Sequence, residues 1–383
     1  MKLYHYLVML FFFSLAACHK EIAGPASAQA VTTWDQAFEQ FWNELDVNYV
    51  YWDIDTTNWD AVHSRYKTLF GRLQWGDPAD MQRSVAYFRQ MTDGLIDHHF
   101  SISFKDTVLK DSAVNPAIDQ LRELPDFRYP LSYISLDRRY LDPGFLYGND
   151  ITTEPGSPLK VLAGTIHGNI LFFTCNQFNL AASFQSSIPN NVQPVLNYFF
   201  DRLQHPSGLK AILLDLRDNP GGAVADLNFL VGRFIGQRMV FGHTRYKSGN
   251  GRLDHTPWIE ASVSPAGGAQ GLSLPVYVLA DRYSASVAEL VIMALRQMSQ
   301  CRVIGEATYG ATGPFVENGL YNDGPFDIPG LLSVHTSSAE FRYLDGKCYE
   351  GKGFPPDEAV PFSLAATGSG DDPQMEKALS MAE

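Results

Sequence analysis

The chain has 383 residues, of which 45% are hydrophobic and 13% aromatic, and its formal net charge is −13 at pH 7. This apolar share can bury a sizeable core, which excludes intrinsic disorder as the main state, and the length allows one large domain or two smaller ones. The acidic balance argues against nucleic acid as a partner, because nucleic-acid binding needs a cationic face.

The first residues predict export. Lys2 precedes a short apolar run, and small residues follow before Cys18. This order is typical of a secretory signal, and the run is shorter than the roughly 20 residues of a membrane-spanning helix. A cysteine directly after such a segment resembles the lipobox of bacterial lipoproteins. It implies a signal peptide over 1–17, lipidation of Cys18, a flexible tether over 18–32 and a membrane-anchored protein of the cell envelope, either periplasmic or surface-exposed.

The remaining cysteines are Cys175, Cys301 and Cys348, an odd number without the spacing of metal ligands. We therefore expect no metal site and no cofactor. An oxidising envelope would permit one disulfide, and the sequence leaves open whether one forms.

Residues 33–104 are expected to form an N-terminal helical domain. Aromatic and aliphatic residues recur at near-helical spacing from Trp34 onward, and Asp77-Pro78 predicts a helix that starts at Ala79. Residues 105–160 carry turn signals without a clear order of elements, so they are treated as a connecting region.

From residue 161 to 383 the pattern is that of an α/β core. Apolar strands are predicted at Asn169–Thr174, Ala211–Leu216, Val276–Ala280 and Arg302–Gly305, with helices at Ala223–Ile235 and Val287–Met298. Strands that alternate with helices predict a largely parallel sheet covered on both faces, with sites at the carboxyl ends of the strands.

Two turns at such strand ends carry residues suited to acyl transfer. One contains Gly221-Gly222 and the other Ser284-Ala-Ser286. A serine that opens a helix lies among unpaired N–H groups at the positive end of the helix dipole, which stabilises an attacking oxygen and its oxyanion. A glycine turn can bring a further bare N–H to the same point. The absence of G-x-S-x-G and H-E-x-x-H motifs removes most support for an α/β-hydrolase or a zinc peptidase.

Five ordered motifs make a family resemblance specific. They are Leu95-Ile-Asp-His-His99, Asp215-Leu-Arg-Asp-Asn-Pro-Gly-Gly222, Ser284-Ala-Ser-Val-Ala-Glu289, Val303-Ile-Gly-Glu-Ala-Thr-Tyr-Gly310 and Glu350-Gly-Lys-Gly-Phe-Pro-Pro-Asp357. Together they resemble the C-terminal processing (tail-specific) peptidase family, which implies a core of the ClpP/crotonase fold and polypeptide substrates. The resemblance assigns Ser286 as nucleophile and Ser284 as its helix-capping neighbour. It places the oxyanion hole at the N–H groups of Val287 and of Gly221 or Gly222.

The chain departs from the best-known branch of that family, which uses a lysine base. The matching position holds Ala311. The tricorn-like branch uses a histidine and a glutamate, which match His99 and Glu350 here. A neutral imidazole can accept the serine proton, and a carboxylate can orient it. One mismatch is His98, where tricorn-like sites place a serine.

The family often carries a PDZ module ahead of the core. The segment between Phe104 and Lys160 is short and has no G-L-G-F-like loop, so we expect that module to be absent. The sequence thus predicts a lipid-anchored serine endopeptidase that cuts extended or unfolded polypeptides through an acyl-enzyme. The alternative is a non-catalytic ligand- or peptide-binding protein on the same fold.

Overall fold

The computed structural model describes residues 30–151, 157–315, 322 and 324–383. The expected signal peptide, Cys18 and nearly all of the tether lie outside these residues. Within them, the helices are α1 (Trp34–Asn48), α2 (Trp59–Phe70), α3 (Pro78–Thr92), α4 (Pro116–Glu123), α5 (Ile134–Asp137), α6 (Leu180–Gln185), α7 (Val192–Gln204), α8 (Ala225–Val231), α9 (Val287–Arg296), α10 (Leu364–Ser369) and α11 (Pro373–Ala382). None of these described helices has the length and apolar character needed to cross a membrane.

The strands of the described residues form three sheets. They are β1 (Ser101–Phe104), β2 (Ala113–Val114), β3 (Leu146–Asp150), β4 (Leu159–Ile166), β5 (Ile170–Cys175), β6 (Ala211–Asp215), β7 (Met239–Tyr246), β8 (Ile259–Val263), β9 (Val276–Ala280), β10 (Cys301–Gly305), β11 (Phe326–Ile328), β12 (Leu332–His335), β13 (Ala339–Tyr343) and β14 (Glu358–Ala359). The sheet orders are β14-β10-β9-β6-β5-β4-β3, β11-β12-β1-β2 and β13-β7-β8.

The seven-stranded sheet is the centre of the fold. Its strands β14, β10, β9, β6 and β5 are parallel, and β4 and β3 continue it antiparallel. One face packs on α7, α8 and α9, and the other packs on α11, so both faces are buried. The predicted largely parallel α/β sheet is confirmed, and its four predicted strands correspond to β5, β6, β9 and β10.

The N-terminal helices build a second core together with the four-stranded sheet. Helix α3 begins at Pro78, one residue before the predicted start, because the Asp77 side chain caps the N–H of Asp80. Strand β1 pairs antiparallel with β12, with Ser101 opposite His335. The residues just before β1 therefore lie beside the residues just after β12, and this pairing brings two distant parts of the chain into the candidate site.

The region between the N-terminal helices and the central sheet consists of short elements. Residues 105–151 and 157–160 contribute β2, α4, α5, β3 and the start of β4, so this stretch joins the two sheets. Cys175, Cys301 and Cys348 are free thiols, and the first two are buried.

Candidate active site

Two turns meet at one edge of the central sheet. The glycine turn (residues 216–224) follows β6, and the serine turn (residues 281–286) follows β9. Strands β6 and β9 are parallel neighbours, with Asp215 opposite Leu279. The hydroxyl of Ser284 joins the turns, because it donates to the Leu216 carbonyl at 2.8 Å and accepts the Asp281 N–H at 2.9 Å.

Ser286 starts α9 in a backbone conformation that side-chain-bearing residues rarely adopt. Its φ is 57° and its ψ is −122°. Such strain persists where the surroundings enforce it, and it is common at functional sites. Gly221 lies directly against Ser286: a Cβ on Gly221 would come within 2.7 Å of the Ser286 Cβ and 2.8 Å of the Ala285 carbonyl oxygen. Only glycine, which has no side chain, allows the two turns to approach each other this closely.

The backbone donors around Ser286 differ in their availability. The Gly221 N–H donates to Asn219 Oδ1 at 2.9 Å. Among the described residues, the N–H groups of Gly222 and Val287 have no hydrogen-bond acceptor. Gly222 cannot carry a side chain, because a Cβ there would lie 2.0 Å from the Phe178 carbonyl oxygen. Two bare N–H groups thus flank the serine.

Glu289, one turn into α9, ties the serine to the segment after β10. Its Oε2 accepts the N–H of Ser286 at 3.0 Å and that of Ala311 at 2.7 Å. Its Oε1 accepts the Thr308 hydroxyl at 2.5 Å and the Gly310 N–H at 2.8 Å. Burial raises the pKa of Glu289 to about 7, against the opposing effect of these four donors. The three-residue spacing from Ser286 to Glu289 is that of a capping box, so the role of Glu289 can be read from the sequence.

His99 lies in the loop before β1 and contacts a second serine. The Ser337 Oγ lies 3.3 Å from His99 Nδ1 and donates to Asp97 Oδ1 at 2.9 Å. Asp97 Oδ1 also accepts the backbone N–H of His99 at 2.9 Å, and the His99 ring packs edge-on against Phe315 with centroids 4.6 Å apart. Burial lowers the pKa of His99, with the negative charge of Asp97 acting in the opposite direction.

Glu350 is a buried carboxylate that holds the backbone of two other segments. Its Oε1 accepts the N–H of His98 at 2.9 Å. Its Oε2 accepts the N–H and hydroxyl of Thr312 at 2.6 and 3.0 Å and the N–H of Gly313 at 2.9 Å. Burial raises the pKa of Glu350 well above its usual range, and the charge of Asp97 adds to this shift.

One atom from each of Asp97, His99 and Glu350 lies within 4.8 Å of the other two. A histidine and two carboxylates at this separation could hold a cation, although backbone and hydroxyl groups already donate to both carboxylates. The side chain of His98 does not take part in this group, because its Nδ1 lies 2.7 Å from the Tyr309 carbonyl oxygen.

The loop at residues 308–313 lies between the two halves of the site. The N–H of Ala311 bonds to Glu289 beside Ser286, and the next two N–H groups bond to Glu350 beside His99. Ala311, the position at which the family resemblance expects a lysine in the best-known branch, is buried. In the described part of the chain no hydrogen bond links Ser286 to His99.

A cavity of about 240 Å³ is lined mostly by apolar side chains. Val224 from the glycine turn, Leu290 from the second turn of α9 and Phe315 beside His99 share its wall with Phe241 and Phe341. Val224 and Phe315 are 49% and 36% exposed, and the exposed Glu260 also lines the cavity. The apolar part of this lining can receive an aliphatic or aromatic side chain.

Comparison with known proteins identifies the family. The chain matches peptidase family S41 over residues 174–360 and the Tricorn protease C1 domain over residues 30–74. It is 29% identical over 149 residues to the carboxy-terminal processing protease CtpA of Bacillus subtilis (strain 168) and 27% identical over 226 residues to a CtpA-like serine protease of Staphylococcus haemolyticus (strain JCSC1435). These matches cover 39% and 55% of this chain, but only 28% and 39% of the two relatives, so less than half of each relative is matched.

The fold is similar to a crystal structure of a Parabacteroides merdae ATCC 43184 protein provisionally described as a peptidase. The TM-score is 0.69 at 22% identity, over 92% of this chain and 97% of that chain. The S41 match contains the glycine turn, the serine turn, Ala311 and Glu350. Residues 174–360 therefore belong to peptidase family S41.

Proposed function

We propose that this protein is a lipid-anchored serine endopeptidase that hydrolyses extended or unfolded polypeptides through an acyl-enzyme. The observation that carries the proposal is the strained Ser286 at the start of α9, with Gly221 against it and two bare N–H groups beside it. A serine that only capped its helix would not need a positive φ or a glycine in contact with its Cβ.

In the proposed reaction the Ser286 Oγ attacks the carbonyl carbon of the scissile peptide bond. The oxygen of the tetrahedral intermediate accepts hydrogen bonds from the N–H groups of Gly222 and Val287. Of the two glycines that the sequence left open, Gly222 is favoured because Asn219 already accepts the N–H of Gly221. Collapse of the intermediate releases the amine and leaves an ester on Ser286, which water then hydrolyses.

His99 is the proposed base. The Ser337 hydroxyl has a single proton, and it donates that proton to Asp97, so it can only accept from His99 Nδ1. This favours the tautomer with hydrogen on Nδ1 and a free electron pair on Nε2, which takes the Ser286 proton and later protonates the leaving amine. Burial lowers the pKa of His99, which keeps the ring neutral at pH 7. The proposal requires Ser286 and His99 to come within hydrogen-bond distance when substrate binds.

Glu350 has a double role in this proposal. One oxygen of its carboxyl group lies within 4.8 Å of a ligand atom of Asp97 and of His99. Burial favours the neutral form of Glu350, whereas the N–H groups of His98 and Gly313 favour the ionised form, which would stabilise the imidazolium form of His99 during the reaction. Its hydrogen bonds to Thr312 and Gly313 also fix the loop beside the base. Direct orientation of the ring is assigned to Ser337, whose hydroxyl contacts Nδ1 and is itself held by Asp97.

The apolar cavity supports a preference for substrates with an aliphatic or aromatic side chain at the residue whose carbonyl is attacked. Its wall includes Leu290 and Val224, which belong to the same segments as Ser286 and the oxyanion donors. A charged side chain would lose its hydration against Phe241, Phe315 and Phe341. Glu260, which also lines the cavity, already pairs with Arg238 at 2.8 Å, so it offers a cationic side chain little compensation.

Hydrolysis of fluorescein-labelled casein, a largely unfolded polypeptide, tests this function. The protein is expected to cut casein, and Ser286→Ala is expected to abolish cutting. Ser284→Ala is the matched control, because it removes a serine hydroxyl two residues away that only joins the turns. It should retain cutting at a somewhat lower melting temperature. Casein binding without cutting would instead support the non-catalytic alternative.

A further inference from the structure

Arg233 is a half-buried arginine whose side chain has no hydrogen-bond or ion-pair partner among the described residues. It follows α8, at the end of the central sheet opposite to Ser286. Its guanidinium carbon lies 3.6 Å from the centroid of the Phe200 ring and 4.9 Å from that of Phe229. Among the described residues no hydrogen bond or ion pair involves its side chain, and its Nε is buried without an acceptor. Burial lowers the pKa of Arg233, and no acidic group opposes that effect.

This situation contrasts with that of two other arginines whose side chains are buried. Arg217 contacts Asp215 and Asp372, and Arg128 contacts Asp281 and Glu306. A guanidinium taken out of water needs such acceptors, since its desolvation otherwise remains uncompensated. Stacking on aromatic rings compensates one face of the Arg233 group but none of its five N–H donors.

Arg233 lines a cavity of about 440 Å³. The aromatic wall consists of Phe184 and Phe200, and the opposite wall is the loop from Ala266 to Leu272 that leads into β9. The loop contains Gly267 and Gly268, where a Cβ would meet no atom within 4 Å, so the loop surface faces open space. A cavity of this volume accommodates a short peptide end or a small aromatic acid.

The polar groups of the cavity indicate a single negative charge on the ligand. Arg233 is the one basic residue in its lining, and the side-chain amides of Asn197, Gln204 and Gln270 supply neutral donors and acceptors. Asp201 also lines it and has a 68% exposed side chain, so a doubly charged phosphate would be repelled at the entrance. The planar fork of an arginine matches the two oxygens of a carboxylate.

We infer that this cavity is a binding site for an apolar monocarboxylate, with the carboxylate on Arg233 and the apolar body against Phe184 and Phe200. The site lies apart from Ser286 and does not depend on the proposed peptidase activity. Two kinds of ligand combine an apolar body with one carboxylate: the C-terminal end of a peptide and a free aromatic acid.

Calorimetric titration of the full chain carrying Ser286→Ala, which prevents cleavage of the probe, tests the inference. The probes are N-acetyl-Ala-Ala-Phe with a free carboxylate, the same peptide as its C-terminal amide, and 3-phenylpropionate. Both carboxylates are expected to bind, and the peptide carboxylate should bind about tenfold more tightly than the amide. If the peptide acid binds more tightly than 3-phenylpropionate, the source is a peptide C-terminus; equal binding favours a free acid.

The variant Arg233→Met removes the charge but keeps an apolar stem on Phe200, and it should weaken carboxylate binding by about tenfold or more. Arg238→Met is the matched control, since it removes the same charge from an exposed position paired with Glu260. It should change the affinity less than about twofold.

The inference would be overturned by any of three results: neither carboxylate binds, the peptide acid and amide bind equally, or binding is unchanged in Arg233→Met. If Arg233→Met does not fold, the inference is decided by comparing the affinities of the peptide acid and the peptide amide for the protein that retains Arg233.

Discussion

The Ser337 hydroxyl stands 3.3 Å from His99 Nδ1, and β12 brings it there across 238 residues of sequence. Because Ser337 also donates to Asp97, the hydroxyl links the imidazole to a buried carboxylate. In the proposed mechanism this link leaves Nε2 of His99 free to act as the base, so the mechanism depends on a serine outside every motif of the sequence.

Replacing Ser337 tests that dependence. Ser337→Ala should lower kcat/KM by roughly tenfold to a hundredfold, less than the loss of the base itself, because the imidazole remains but its tautomer and orientation are no longer fixed. Ser333→Ala on β12 removes a hydroxyl that bonds to Asp327 at the surface, and it should leave peptidase activity unchanged. Equal activity in Ser337→Ala and the unsubstituted protein would show that the Ser337 link does not orient the base.

The contact between the two turns gives a second prediction. Gly221→Ala should reduce kcat/KM by at least about a hundredfold, because the new methyl group would collide with Ser286 and displace the nucleophile from the oxyanion donors. Gly208→Ala is a matched control, since Gly208 also has a positive φ of 80° but has no atom within 4 Å of the new Cβ. Both variants carry backbone strain, so a comparison of their activities and melting temperatures isolates the collision. Similar activities in the two variants would count against the proposed geometry.

The pH dependence follows from the direction of the His99 pKa shift. The base works when it is neutral, so kcat/KM should rise with pH through the pKa of His99 and then level off. Burial lowers this pKa, which places the midpoint of the rise below the ordinary value of about 6.5. A pH profile of casein hydrolysis measures the midpoint.

The identity of the base is tested by substitution. His99→Ala should lower kcat by roughly 10²–10⁴ and remove the rise with pH, whereas Lys347→Ala and Lys352→Ala should keep both the rate and the rise. Loss of activity in a lysine variant would assign the base elsewhere.

Much of the site could be predicted because its signals are local. A glycine pair after one strand and a serine before a helix identify the two turns, and parallel strands place both at the same edge of the sheet. The network around the base could not be predicted in this way. Asp97 and Ser337 are 240 residues apart, and only the antiparallel pairing of β1 with β12 brings them together. The elements within residues 105–151 and 157–160 could not be predicted, because they are short and gain stability from neighbouring sheets rather than from a clear periodicity of their own.

Lipid anchoring concerns Cys18, which lies outside the described residues. Radiolabelled palmitate fed to the expressing bacterium should label the protein, and the protein should remain with the membrane fraction. Cys18→Ser should abolish both labelling and membrane retention, whereas Cys348→Ser should change neither. Retention of the Cys18→Ser variant through an uncut N-terminal segment would contradict the lipoprotein interpretation.

The central claim is that Ser286 is an activated nucleophile. Labelling with a fluorophosphonate probe measures the reactivity of the Ser286 hydroxyl directly. The protein should form a covalent adduct, and mass spectrometry of the digested protein should place it on Ser286. Ser286→Ala should remain unlabelled, and labelling should rise with pH over the same range as peptidase activity. An adduct on another serine, or unlabelled protein that is demonstrably folded, would contradict the central claim.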